Sequence, residues 1–148
     1  MKNYVLGFAF DKRAAVALIC KARPDWQAGK WNGIGGHVEP GENSFEAMER
    51  EFYEETTMRI KANAWRYCGQ LKKLGAYHCA VFTTNVMDLR VQTNTDEAVK
   101  VFTRQEQALF LDTREWPCLA NILPMLYLCN MAPDREAVIP FFTLDYTK

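Results

Sequence analysis

Apolar and polar positions along this chain fall into short blocks, and the spacing inside each block separates strands from helices. Residues 4–10 and 14–20 are apolar runs on either side of the charged stretch Asp11-Lys12-Arg13, which predicts two strands joined as a hairpin. Residues 64–71 and 77–86 read as a second pair of strands, with Lys72, Lys73 and Gly75 near the turn between them. The alternation in Val99-Lys100-Val101-Phe102 predicts a further strand after a polar loop over 88–95, and the last strand is expected within 137–146. Phe45, Met48 and Phe52 (i, i+3, i+7) form one apolar stripe of a helix, which is expected to face the core. A short helix is expected over 105–110. Leu119, Ile122, Leu123 and Leu126 set a second stripe across 119–130 that should pack on the sheet despite Pro124. Short strands, two principal helices and no regular strand–helix–strand alternation predict an α+β fold, a mixed β-sheet sandwiched between helices.

The stretch between the second strand and the first long helix carries the candidate chemistry. Residues 21–31, rich in Pro, Gly, Lys, Arg and Trp, form a loop suited to one wall of a site. The loop runs into Gly33, Gly35, Gly36 and Gly41, which predict positive φ and close approach of backbone to a ligand, with a turn at Pro40-Gly41. Asn43 is a helix N-cap, and Glu46 three residues on completes a capping box. On that helix Glu51, Glu54 and Glu55 stand at i, i+3 and i+4, so their carboxylates share one face. An acidic helix face is ordinarily a solvated one. Magnitudes argue otherwise here: carboxylates ~6 Å apart repel by ~0.7 kcal/mol per pair in water and by ~3 kcal/mol at an effective dielectric of ~20. Arg50, with Glu46 and Glu54 at i−4 and i+4, returns only ~0.3–0.5 kcal/mol per pair. A bound cation accounts for the cluster better, and all-oxygen ligation selects Mg2+ or Mn2+.

Composition narrows the partners. The 148 residues fit one domain spanning 1–148, long enough to bury a core without covalent staples. Lys and Arg total 18 against 18 Asp and Glu, so no net basic field is available for stable nucleic-acid binding, and a nucleotide would have to be held locally. Five cysteines, at 20, 68, 79, 118 and 129, are odd in number and form no CxxC pair. That argues against a disulfide framework or a zinc site and for a reducing, cytoplasmic setting. The opening apolar run lacks a small-residue cleavage site, and no stretch approaches the ~18 apolar residues of a membrane span. A soluble protein, monomeric or homodimeric, is expected.

Taken together, these residues resemble the signature of the Nudix hydrolase family, G-x5-E-x7-R-E-U-x-E-E-x-G-U with U a bulky apolar residue. It falls here on Gly36, Glu42, Arg50, Glu51, Phe52, Glu54, Glu55 and Met58, with every charged position kept. Two positions depart from it. Phe52 is larger than the usual aliphatic residue, and Thr57 replaces the last glycine; a β-branched residue tolerates the left-handed C-cap conformation poorly, so the helix is expected to end differently there. The resemblance implies the Nudix fold and hydrolysis of a diphosphate linked to a nucleoside, assisted by divalent cations. Carried over by position, it implies Glu51, Glu54, Glu55 and the carbonyl of Gly35 as metal ligands, Arg50 and Glu42 as the residues that orient them, and Glu51 as general base. Glu97, in a Thr-Asp-Glu setting, is similar to a fourth ligand; the other reading is a surface residue at a strand edge.

The segment Gly29-Lys30-Trp31-Asn32-Gly33-Ile34-Gly35-Gly36 resembles the branch of that family acting on oxidised purine nucleoside triphosphates. On that resemblance Asn32 is a candidate purine reader, since an amide donates and accepts at once; a turn asparagine capping its own backbone is the alternative. Trp26, Trp31 and Trp116 are stacking candidates or packing residues. Arg23 and Lys30 are phosphate contacts or solvated loop charges, and Asn121 is a second base-reading candidate. Where the branch carries paired aspartates after Trp-Pro, this chain has Trp116-Pro117-Cys118-Leu119, so the resemblance does not extend to oxidised-guanine specificity. The expected substrate is a nucleoside triphosphate, modified purines included, split into nucleoside monophosphate and pyrophosphate. ADP-ribose or a dinucleoside polyphosphate is the alternative, and a non-catalytic nucleotide-sensing module the alternative of a different class.

Overall fold

β1 (Lys2–Phe10) is the strand on which the sheet is built. The computed structural model describes residues 1–108, 126 and 142–147. Along its whole length β1 pairs in parallel with β6 (Tyr77–Asn85), from Lys2↔Tyr77 to Phe10↔Asn85. Its other edge is shared: residues 4–7 pair with β4 (Ile34–His37), and Phe10 alone pairs with Val16 of β2 (Val16–Cys20). The expected hairpin is therefore one residue pair wide, because β4 takes the edge that β2 would have needed. β2 also begins later than residue 14. Ala14 sits at a φ of 60°, and the Asp11 carboxylate accepts the N–H groups of Arg13 (2.8 Å) and Ala15 (3.0 Å), which folds 11–15 into a turn.

The rest of the sheet follows from these pairings. β2 pairs antiparallel with β3 (Trp31–Asn32) and β7 (Val99–Phe102), β6 antiparallel with β5 (Arg66–Lys73), and β5 in parallel with β8 (Phe142–Asp145). The path is β3-β2-β1-β6-β5-β8, with β4 beside β1 and β7 beside β2. The strand expected at 64–71 starts later, after a 3-10 turn at Ala62–Ala64, and the short helix is α2 (Arg104–Ala108). β8 lies inside the expected 137–146. Most of the expected helix over 119–130, with Trp116 and Asn121, lies outside the described residues; its Leu126 is helical and buried. No helix among the described residues is long and apolar enough to cross a membrane.

The unbroken apolar run of β1 reflects burial on both faces. Leu6, Phe8 and Phe10 point into one core cluster with Leu18, Val81, Phe102 and Leu126, while Val5 and Ala9 point into the other with Ile34, Ala80 and Phe82. The second cluster is covered by α1 (Ser44–Thr56), which contributes Ala47, Met48 and Phe52. Met48 and Phe52 of the expected stripe are fully buried, whereas Phe45 is 37% exposed at the margin, its ring edge-on to Phe82. The unusual bulk of Phe52 is accommodated by Trp65, ring centroids 5.4 Å apart in an edge-to-face arrangement. The result is an α+β architecture, a mixed sheet with α1 on one face.

Candidate active site

Two neighbouring glycines bring the sheet against α1. The glycine segment is strand rather than open loop, and Gly33, Gly35 and Gly36 do not take positive φ; Gly41, in the turn before the helix, does. What Gly35 and Gly36 supply is room. A Cβ on Gly35 would lie 2.0 Å from the backbone oxygen of Val5 in β1, and one on Gly36 would lie 2.4 Å from Oε1 of Glu51. The Glu51 carboxylate therefore rests on bare backbone at the end of β4. The capping box fixes where α1 begins: Asn43 Oδ1 accepts from the N–H of Phe45 (2.9 Å) and Glu46 (3.1 Å), and Glu46 Oε2 accepts from the Asn43 N–H (2.8 Å). From that start, Arg50 and Glu51 fall on the second turn and Glu54 and Glu55 on the third.

Arg50 gathers the acids. Its Nε and Nη2 donate to the two oxygens of Glu42 (3.1 and 2.6 Å), Nη1 donates to Glu51 (3.0 Å) and Glu54 (3.2 Å), and Nη2 also reaches the carbonyl of His37 in β4 (2.8 Å). This fork-on-fork pairing with Glu42 is the strongest geometry available to a guanidinium. The electrostatic consequences diverge. Hydrogen bonding from Arg50 holds the Glu42 carboxyl below the usual carboxylate range, with help from the Glu39 N–H and against a smaller burial effect. Burial pushes the Glu51 carboxyl up; Arg50 opposes this, while Glu54 and Glu55 add to it. The guanidinium itself is held still more firmly charged, first by Glu42.

A divalent cation fits this donor set. Glu51, Glu54 and Glu55 offer only oxygen, the bare backbone of Gly36 leaves room for the Glu51 carboxylate, and burial first, with Glu54 and Glu55 adding to it, raises the Glu51 carboxyl. Among the described residues no three His, Cys, Asp or Glu side chains stand together so as to hold a metal ion, so the carboxylates would have to turn inward to bind one.

The other expected residues divide. Glu97 is 4% exposed and committed elsewhere: Oε2 accepts from Lys21 Nζ (2.6 Å) and Oε1 from the N–H of Ala22 (2.7 Å). Burial alone would raise its carboxyl, but Lys21 and the Ala22 N–H outweigh that and hold it below the usual range. It is neither a strand-edge surface residue nor gathered by Arg50. Asn32 Oδ1 accepts the N–H of Gly33 (2.8 Å) and its amide donates to Gln27 (3.4 Å), leaving one lone pair and one N–H without a partner among the described residues. Trp31 is half-buried, edge-on to Phe102 at 4.8 Å, so it packs; Trp26 is 64% exposed on the loop. Lys30 Nζ donates to the carbonyl of Trp26 (2.9 Å), and Arg23 pairs with Asp96 at the surface. Sequence reasoning missed Lys21, whose partner is 76 residues away and therefore leaves no local spacing signal. It also missed Thr95, whose hydroxyl donates to Glu55 Oε2 (2.8 Å).

A family model for the NUDIX domain matches residues 2–126. No curated protein matches the chain at a significant level. Among solved structures, a NUDIX hydrolase from Nitrosomonas europaea is similar with a TM-score of 0.75 at 19% identity, covering 99% of this chain and 79% of its own. A MutT protein from Bacillus halodurans gives a TM-score of 0.68 at 19% identity, covering 99% and 91%. The NUDIX domain of Shewanella oneidensis NrtR, solved with ADP ribose, gives 0.66 at 14% identity, covering 84% and 83%. These likenesses carry the fold; the family rests on the model match together with the Arg50-centred acids and the glycine step that it spans. On that ground the chain belongs to the NUDIX domain family.

Proposed function

We propose that this protein is a Mg2+-dependent nucleoside triphosphate pyrophosphohydrolase that releases nucleoside monophosphate and pyrophosphate, Mn2+ being able to replace Mg2+. The observation that carries the reading is the bonding of Arg50 to Glu42, Glu51 and Glu54 directly beside the bare backbone of Gly36. Glu51, Glu54, Glu55 and the carbonyl of Gly35 would hold the cation. When bound, the cation neutralises the pyrophosphate and lowers the pKa of the attacking water. The chain's own residues do the rest. Arg50, fixed by its paired bonds to Glu42, sets the directions of Glu51 and Glu54. Glu51 is drier than Glu54, its side chain 12% exposed against 54%, and serves as general base, taking the proton of the water as it attacks phosphorus. The lone pair and N–H of Asn32 left without a partner among the described residues suit a purine edge, with exposed Trp26 as a stacking surface and Lys30 and Arg23 as cations that could reach the phosphates.

A panel of nucleotides with Mg2+, analysed for products, tests this. Nucleoside triphosphates are expected to yield monophosphate and pyrophosphate, and Glu54→Gln to lower turnover about ten-fold or more, because a neutral amide is a poor Mg2+ ligand. No turnover of any compound, or full turnover by Glu54→Gln, refutes the proposal. AMP and ribose phosphate from ADP-ribose would replace the triphosphate by the alternative substrate. Tight nucleotide binding without any product would mark a sensing module.

A further inference from the structure

We propose that Thr95 is a positioning residue for the cation site, fixing one oxygen of the Glu55 carboxylate from a stretch of chain that crosses the end of α1. This rests on the reading of Glu55 as a ligand to the cation. Arg50 donates to Glu51 and Glu54, while the donor to Glu55 is of another kind: the Thr95 hydroxyl, 2.8 Å from Oε2. The two donors act differently on charge. A guanidinium offsets the charge it holds, whereas a neutral hydroxyl orients a carboxylate and leaves its full charge for a cation. A carboxylate carries about four lone-pair sites on its two oxygens, so a bond to Oε2 leaves Oε1 for a metal ion.

The hydroxyl is held from both sides. Thr95 Oγ1 accepts the N–H of Glu97 (3.2 Å) through a lone pair, so its own hydrogen is available to Glu55. Just before it in the chain, the Gln92 N–H donates to the Thr56 carbonyl (2.9 Å) and Asn94 Nδ2 to the Glu54 carbonyl (2.8 Å). Both carbonyls belong to the last turn of α1, where the helix supplies no N–H of its own. Between those two residues, Thr93 Oγ1 accepts the Val99 N–H (2.9 Å), which ties the same stretch to the start of β7. Residues 92–95 are thus fastened to helix and sheet by bonds that do not involve the Glu55 side chain. The place of the hydroxyl is set independently of Glu55, and the carboxylate takes its direction from Thr95. A ligand oriented in this way gives up less side-chain freedom on binding a cation than a loose glutamate would.

Calorimetry of Mg2+ binding to the full chain, without nucleotide, tests this. Thr95→Val keeps the shape of the side chain and removes the donor, and is expected to weaken Mg2+ binding about ten-fold, the usual scale for losing a hydrogen bond that orients a ligand. Thr95→Ser keeps the donor and is expected to bind within about two-fold of the parent. Parental affinity in Thr95→Val, or an equal loss in Thr95→Ser, overturns the proposal, since the hydroxyl would then have no part in holding the cation. Thr95→Val also takes an acceptor from the Glu97 N–H, so the substitution is repeated on a Glu97→Gln background, where the same ten-fold loss is expected. Disappearance of the loss there would show that Thr95 acts through residue 97 and not through Glu55, which also overturns it. A parent chain that binds no Mg2+ overturns the cation reading and this proposal together. A parent that binds Mg2+ but turns over no nucleotide refutes the proposed activity alone, because none of these measurements needs turnover.

Discussion

Gly35 and Gly36 are adjacent and both necessary, yet their replacement by alanine should fail in different ways. At Gly35 the new methyl would lie 2.0 Å from the oxygen and 2.7 Å from the carbonyl carbon of Val5, both backbone atoms of the central strand. Nothing there can rotate away, so β4 and β1 must separate by more than an ångström at Leu6↔Gly35, in the middle of their ladder. Overpacking of this kind costs ~1–3 kcal/mol, and its unyielding partner puts it at the upper end. With a Tm change of roughly 2–4 °C per kcal/mol in a domain of this size, Gly35→Ala should melt about 6–12 °C below the parent. At Gly36 the methyl meets only the end of a side chain, Glu51 Oε1 at 2.4 Å and Oε2 at 2.5 Å. A comfortable carbon–oxygen contact is about 3.3 Å, so the carboxylate has to move by about 0.9 Å. Side-chain torsions absorb that, and Tm should fall by less than about 3 °C. A carboxylate displaced by that distance, however, is out of place for both cation and water, and kcat/KM should drop on the order of 100-fold. Melting curves and steady-state kinetics on the two variants decide the matter. Equal melting losses, or Gly36→Ala with parental kcat/KM, would show that Glu51 does not work from the position seen here.

Three further outcomes follow from single observations. Thr57 ends α1 at a φ of 62°, so Thr57→Gly should relieve ~1–2 kcal/mol of left-handed strain against ~0.5–1 kcal/mol of added chain entropy, raising Tm by about 1–4 °C; a lower Tm refutes the strain. The Thr83 hydroxyl is fully buried with no hydrogen-bond partner among the described residues, so Thr83→Val should stabilise by about 1 kcal/mol in denaturant titration, and a loss of stability would reveal an unrecognised partner. Because burial raises the Glu51 carboxyl above its ordinary range, protons compete with a cation for it more strongly than for an ordinary carboxylate; Mg2+ affinity by calorimetry should weaken as the pH is lowered, and an affinity independent of pH refutes that coupling.

How much of this was legible beforehand depends on the range over which each signal acts. The capping box of α1, the burial of Met48 and Phe52 and the shared face of Glu51, Glu54 and Glu55 are properties of one helix, and the spacing of residues contained them. The pairing of β1 was not contained in that way. An apolar run says that Leu6 and Val5 are both buried, but not that β6 lies parallel on one edge while β4 and β2 divide the other. The glycines were read correctly as a place of close approach and incorrectly as a place of positive φ, because both demands select the same residue. Thr57 reverses that lesson: the motif position asks for a left-handed residue, and the helix ends in that conformation even though threonine is poorly suited to it. Glu97 shows the limit most clearly, since only the fold brings Lys21 to it.

The arrangement around Arg50 also explains why two residues expected to hold no metal belong to the signature. Without a cation, three carboxylates on adjacent turns repel one another, and burial raises the Glu51 carboxyl further. Arg50 counters this, but its charge is not spread evenly. Glu42 receives two bonds, and both its oxygens are used, so the guanidinium is fixed in place with its carboxyl held low. Nη1 is left to serve Glu51 and Glu54 together, at 3.0 and 3.2 Å. Of those two shared bonds the longer one goes to Glu54, whose side chain is 54% exposed, against 12% for Glu51. Exposure lowers the value of an ion pair, so Glu54 is the carboxylate that an incoming cation can draw off with least loss. Glu42 keeps Arg50 from following it, and the guanidinium remains beside Glu51, where its charge favours the ionised form that the proposed roles of ligand and base would require. On the proposed reading Glu42 acts on the reaction through Arg50, and the residue eight positions from it in sequence has to be an arginine rather than any cation: lysine offers no fork with which to be held and to hold at once.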